Sequence, residues 1–148
     1  IFSTSFSTYA CEVLKFDKAT IWIENDLKIK KKFLVELAEN EVKRKSGLQC
    51  RKKMAKQTGM LFLWEKEGYR EFWMKKTFIP LDIIFIDAEK KIFNFHLNAI
   101  PLNEMKISSS GKAKYVLELN SGEFKKLDLG LGDKLIFESK NHILQQFN

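Results

Sequence analysis

Three carboxylates stand where a β-rich protein ordinarily places apolar side chains. Glu36 and Glu118 each occupy the centre of a Val/Leu-Glu-Leu triplet, and Asp82 opens the run Asp82-Ile83-Ile84-Phe85-Ile86. An ionised carboxylate without a partner in such surroundings costs several kcal/mol or takes up a proton, so each is expected to find a cation or hydrogen-bond donors. Arg51, Lys75 and Thr77 are the natural partners. Trp73 lies beside two of them in Phe72-Trp73-Met74-Lys75-Lys76-Thr77. The expectation is a polar cleft beside Trp73, in which the acids gather around the Arg51 guanidinium.

Such a cleft has three readings. Carboxylates and Thr77 would hydrogen-bond hydroxyl groups while Trp73 supplies a flat apolar wall, which suits a small polar ligand such as a sugar. Two carboxylates roughly 5–10 Å apart would instead permit acid/base hydrolysis of a glycosidic bond. The plainest reading is an Arg51-centred ion network that ties strands together, with Phe72 and Trp73 in the core. Among the functional readings the pattern favours non-catalytic binding, with a glycan-acting hydrolase as the alternative. His96 could act as an acid or base, but no Ser or Cys nucleophile motif accompanies it, and it reads as a surface or half-buried residue. Gly130-x-Gly132 has no helix after it and reads as a turn, not a phosphate loop. Met60 and Met74 read as core filler. Cys-x-x-Cys and paired-His spacings are absent, so neither a metal site nor a cofactor is expected.

The elements that must position these groups are short. Thr20 to Ile23 reads as a strand and Asn25-Asp26 as a turn. Lys32 to Leu37 alternates, with Phe33, Val35 and Leu37 on one face. Asn40 is an N-cap for a short helix over residues 41–46 that Gly47 can stop, with Arg44 and Lys45 suited to its last turn. Met60 to Trp64 and Arg70 to Lys75 read as a hairpin turning at Glu65-Lys66-Glu67-Gly68. Further strands are read at Ile83 to Ile86, Ile92 to His96, Lys114 to Leu119 and Lys134 to Phe137. Asn120 and Glu123 have capping-box spacing for a second short helix running to Leu127. Seven or eight short strands with two short helices predict a mainly β fold, a jelly-roll-like sandwich or partly closed barrel.

A chain of 148 residues with 45% hydrophobic and 30% charged side chains fits one folded domain. Its bounds are read as residues 18–138, between a tail at 1–17 and a tail at 139–148. The net charge of +7 falls entirely within residues 15–56, in the runs Lys28 to Lys32, Lys43 to Lys45 and Arg51 to Lys53. That region could bind a polyanion. Lysine dominates it, however, and only three arginines occur in the chain, which argues for a solvated face and against nucleic acid as a partner. Ile1 to Ala10 is uncharged, and Thr8-Tyr9-Ala10 resembles a signal-peptide cleavage site before Cys11. Export to the periplasm or cell envelope is therefore expected, with any membrane association confined to a preceding signal or lipid anchor. Cys11 and Cys50 would then be free to form one disulfide, although their spacing alone does not pair them.

Several blocks in order carry a resemblance: Val35-Glu36-Leu37-Ala38, Gly47-Leu48-x-x-Arg51, Gly59-Met60-Leu61-Phe62, Phe72-Trp73-Met74-Lys75-x-Thr77, Ile79-Pro80-Leu81-Asp82, Phe85-Ile86-Asp87, Tyr115-Val116-Leu117-Glu118-Leu119 and Gly132-Asp133. In these the chain resembles the bacterial and archaeal family called domain of unknown function 192, over roughly Phe33 to Phe137. The resemblance implies a compact, mostly β, jelly-roll-like domain, often exported, and brings no established activity. Two positions depart from the family pattern. Gln49 replaces the usual Met after Gly-Leu, and Lys76 replaces the usual Asn after Trp-Met-Lys.

Overall fold

A computed structural model describes Cys11 and residues 14–148. The signal-like segment Ile1 to Ala10 lies outside the described residues. The fold is mainly β, as expected. Seven strands form one sheet in the order β5-β4-β6-β3-β2-β1-β7. They are β1 (Lys18–Glu24), β2 (Lys30–Ala38), β3 (Thr58–Phe72), β4 (Leu81–Ile86), β5 (Ile92–Ala99), β6 (Ile107–Asn120) and β7 (Lys134–Phe137), with short helices α1 (Glu41–Ser46), α2 (Glu123–Lys126) and α3 (His142–Gln145). All neighbours are antiparallel except β2 and β3. The sheet curls into a half-barrel, so the starts of its edge strands meet. Lys91 bridges to Lys134, and Leu135 donates to the Lys90 carbonyl at 2.8 Å.

Strand alternation splits the core in two. The inner face collects Ile21, Phe33, Val35, Leu61, Ile84, Leu117 and Leu119, and is closed by Phe124, Leu144 and Phe147. The outer face collects Met60, Phe62, Ile83, Phe85 and Val116, and is covered by Leu48, Met74 and Ile79. The tail after Ser139, too short and mixed to assign from sequence, thus carries a third helix, α3 (His142–Gln145), and packs Leu144 and Phe147 on the inner core.

Two sequence expectations are corrected. The 65–68 hairpin does not form. Instead β3 runs unbroken from Thr58 to Phe72 beside the similarly long β6, and a register shift between Leu63 and Gly68 absorbs the charged residues as an exposed irregularity. The capping box at Asn120 and Glu123 does not form either. Gly122 occupies the N-cap at φ 92° with no side-chain cap of its own. Asn120 Nδ2 donates to the Met54 carbonyl at 2.9 Å, and Glu123 accepts from the Gln57 amide at 2.7 Å. By contrast α1 starts and stops as read. Asn40 accepts from the Lys43 amide, and Gly47 ends the helix at φ 49°, where a side chain would be strained.

Candidate functional site

The expected gathering of three acids around Arg51 does not occur, and strand parity explains why. Glu36, Met60, Glu118 and Ile83 form one row across β2, β3, β6 and β4, so both glutamates project from the outer face. Two strand spacings put their backbones roughly 10 Å apart. Asp82 is paired with Leu119 in the adjacent row and projects from the inner face.

Each acid then meets a different environment. Glu36 receives both arms of the Arg51 fork, with Nη2 to Oε2 at 2.7 Å, and Arg51 also lies over the Phe16 ring. This pair is scaffolding. Asp82 is fully buried. Its Oδ1 accepts from the Asn98 amide at 3.1 Å, and its Oδ2 from the Gly122 and Phe124 amides at 2.9 and 3.1 Å. Asp82 is therefore the missing cap of α2, supplied from a remote strand. Glu118 is 5% exposed, and its carboxyl makes no hydrogen bond or ion pair with any described residue. Burial pushes its carboxyl up to about 8, which keeps the acid protonated at neutral pH.

Glu118 forms part of the lining of an open cavity of about 350 Å³ on the outer face. One side is the last turn of α1 with the Gly47 to Gln49 turn. The other is the far half of β3 with Trp73 and Thr77. Phe62, Trp64 and Phe72 form an aromatic cluster here, with Phe62 and Phe72 edge to face at 5.0 Å. Gly59 lets β6 come close at this level, since a Cβ there would lie 2.2 Å from the Glu118 carbonyl.

The cavity thus unites three of the seven residues expected from sequence: Trp73, Thr77 and Glu118. Trp73 is half exposed at the rim. Thr77 donates to the Lys75 carbonyl at 3.0 Å and serves its own turn. Lys75 lies over the Trp73 ring at 5.0 Å and stays outside the lining. Arg51, Glu36 and Asp82 are also outside it. His96 is exposed on β5. Sequence reasoning missed Trp64, Arg44 and Arg70, which share this wall. Rarity was the available signal: in a chain with three arginines among 26 basic residues, each arginine has an assigned place.

With the fold and cavity described, comparison with known proteins fixes the relationship. The model of the family DUF192, described as Uncharacterized ACR, matches residues 21–137. This chain belongs to the DUF192 family. Among solved structures, a protein from Sinorhizobium meliloti 1021, described as a candidate transcription regulator, is 35% identical with a TM-score of 0.82, over 85% of this chain and 98% of that one. A protein of unknown function from Novosphingobium aromaticivorans DSM 12444 is 29% identical with a TM-score of 0.78, over 86% of this chain and 96% of that one. No curated protein matches.

The DUF192 blocks now have physical explanations. Gly47 ends α1, Gly59 admits β6, Arg51 holds Glu36, and Asp82 caps α2. The two departures are also accommodated. Gln49 stays in the cavity wall with its amide on the Lys45 carbonyl at 3.2 Å. Lys76 adopts φ 50°, a left-handed conformation that Asn tolerates best among side-chain-bearing residues. The Asn usual in DUF192 at that position fits a backbone requirement, and its absence here leaves the cavity lining intact. The Lys76 carbonyl accepts from the Cys50 amide at 2.7 Å, and Cys50 is disulfide-bonded to Cys11.

Proposed function

We propose that this DUF192 domain binds a small polar ligand in the outer-face cavity, without performing chemistry on it. One observation carries the reading: Glu118, a buried carboxyl with no partner among the described residues, opens onto a cavity with aromatic walls. A scaffold acid would be satisfied as Asp82 is, so the free hydrogen-bonding capacity of Glu118 is assigned to a ligand. As a neutral acid it donates one hydrogen bond and accepts others, while Trp64, Phe62 and Trp73 provide apolar contact. A carbohydrate or similarly sized molecule fits this volume.

Paired-carboxylate hydrolysis is not favoured. The other acids at the cavity, Glu41 and Glu71, are exposed on the rim and paired with Lys45 and Lys106 at 3.0 and 3.1 Å. Polyanion binding through residues 28–56 is also weakened. Lys28, Lys30, Lys43, Lys45 and Arg51 each already face a carboxylate, which counts against a nucleic-acid surface in this region. The Cys11–Cys50 disulfide supports the proposal that the protein works in an oxidising, exported setting.

The test is a thermal-shift and tryptophan-fluorescence screen of neutral and charged polar metabolites and short glycans. A true ligand binds the natural protein, binds Glu118→Gln (which mimics the protonated acid) and loses affinity for Glu118→Met. A screen in which no compound distinguishes Glu118→Met from the natural protein would overturn the reading.

A further inference from the structure

We propose that the ligand of this cavity carries a carboxylate or phosphate group, received by Arg44 and Arg70 beside Trp64. This rests on the cavity being a binding site and names the chemistry of its occupant. Arg44 comes from the last turn of α1 and Arg70 from β3 at its second register shift, between Tyr69 and Glu71, so distant segments deliver two guanidinium groups to one indole. Their central carbons lie 5.2 and 4.2 Å from the Trp64 ring centre, and both residues line the same cavity as Glu118.

Among the described residues no acid pairs with either cation. The acids nearest Arg44 in sequence are engaged elsewhere, Glu41 with Lys45 at 3.0 Å and Glu39 with Lys43 at 2.5 Å. What holds the guanidiniums is backbone. Arg44 Nη1 donates to the Leu63 carbonyl at 2.8 Å, and Arg70 Nε to the Ala113 carbonyl at 3.1 Å, with its Nη2 on the Lys66 carbonyl. Each guanidinium has five N–H donors, so several remain for a ligand. Arg51 provides the contrast, with its fork given to Glu36.

The electrostatics agree. Burial lowers the pKa of both arginines, and Arg44 lowers that of Arg70 further by like-charge repulsion. Glu41 and Glu39 act on Arg44 through space and offset only part of the burial effect. Two partly desolvated positive charges held together gain from an anion, and the guanidinium fork matches the two oxygens of a carboxylate or phosphate. Glu118 does not oppose an anion at neutral pH, because it is protonated there and offers an O–H instead of a second negative charge. The occupant is therefore a small molecule with an oxyanion at one end and a polar group at the other, its body against the aromatic wall.

The full chain, labelled with ¹⁵N, should be titrated with inorganic phosphate, benzoate and glucose 6-phosphate, and in parallel with glucose and benzyl alcohol. The expected result is saturable shifts of the Trp64 indole and the Arg44 and Arg70 Nε–H signals with the anions, weaker at high salt and absent with the neutral compounds. Arg44→Met and Arg70→Met should weaken anion binding by about tenfold each. Arg44→Lys and Arg70→Lys, which keep the charge but lose the fork, should weaken it less, and they serve if the Met variants do not fold. Whether phosphate or benzoate saturates at lower concentration identifies the oxyanion. Neutral compounds that bind as well as the anions overturn this inference and leave the cavity a binding site. Silence from both sets overturns it together with the reading on which it rests.

Discussion

Asp82 and Glu118 are near neighbours with opposite fates. Both are buried, both lie in apolar strands, and their strands pair directly, Asp82 with Leu119 and Glu118 with Ile83. A single step along the ladder sends one inward and the other outward. Asp82 finds three backbone amides and becomes part of the framework. Glu118 finds none and faces a cavity. Burial by itself therefore does not separate a structural acid from a functional one in this fold. What separates them is whether the protein itself supplies the donors.

The largest test of this contrast is Asp82→Ala. It leaves three amides without their acceptor, that of Phe124 buried and those of Asn98 and Gly122 partly so, and should cost roughly 3–5 kcal/mol in urea unfolding, with Asp82→Asn costing about 1–3 kcal/mol because one acceptor remains. A neutral Asp82→Ala would break the comparison. Glu118 should behave in the opposite way. Its native pKa of about 8 lies above the 4.5 of a free glutamate, so the native state binds more protons than the unfolded state between those values. Its stabilising contribution is then complete below about pH 4.5 and is lost as pH rises toward 8, by roughly 5 kcal/mol across the window. Glu118→Gln should remove this slope, and the difference between the two pH–stability curves isolates it. A slope that persists in the variant would place the titration elsewhere.

Smaller effects sharpen the contrast between the faces. The Cys11–Cys50 disulfide closes a separation of 39 residues beside the cavity, so Cys50→Ser should cost about 2–4 kcal/mol. Hydrogen exchange should rise at residues 47–51 and 74–77 on the outer face before it rises at Ile84 and Ile86 inside. Lys75→Ala should be the mildest, about 0.5–1 kcal/mol from its place over Trp73, with ligand affinity unchanged in calorimetry. A large loss of affinity there would move the site toward Lys75.

How much of this was legible in the sequence follows from the range of the interactions. The strands of Phe33 to Leu37 and Ile83 to Ile86, the Asn40 cap and the Gly47 stop were readable because alternation and capping are local. The acids were correctly singled out as anomalous in their surroundings. Their partners were not readable, because the bond from Asp82 to Phe124 spans 42 residues and depends on ladder register. The false hairpin at 65–68 arose because three charged residues before a glycine look like a turn whether or not a long β6 waits alongside. Trp64 read only as the end of an apolar strand because nothing local shows that two arginines will come to rest on it.

The single row that carries Glu36, Met60, Glu118 and Ile83 also determines where this family can change length. One residue gained or lost between Tyr115 and Glu118 would exchange Glu118 with a leucine, sending the acid into the sealed interior and grease into the opening. The same change at Glu65 to Gly68, where pairing with β6 is already out of step, would only resize an exposed bulge. Homologues should accordingly tolerate insertions at the latter stretch and reject them at the former, and a deletion scan through both would read this directly as soluble yield.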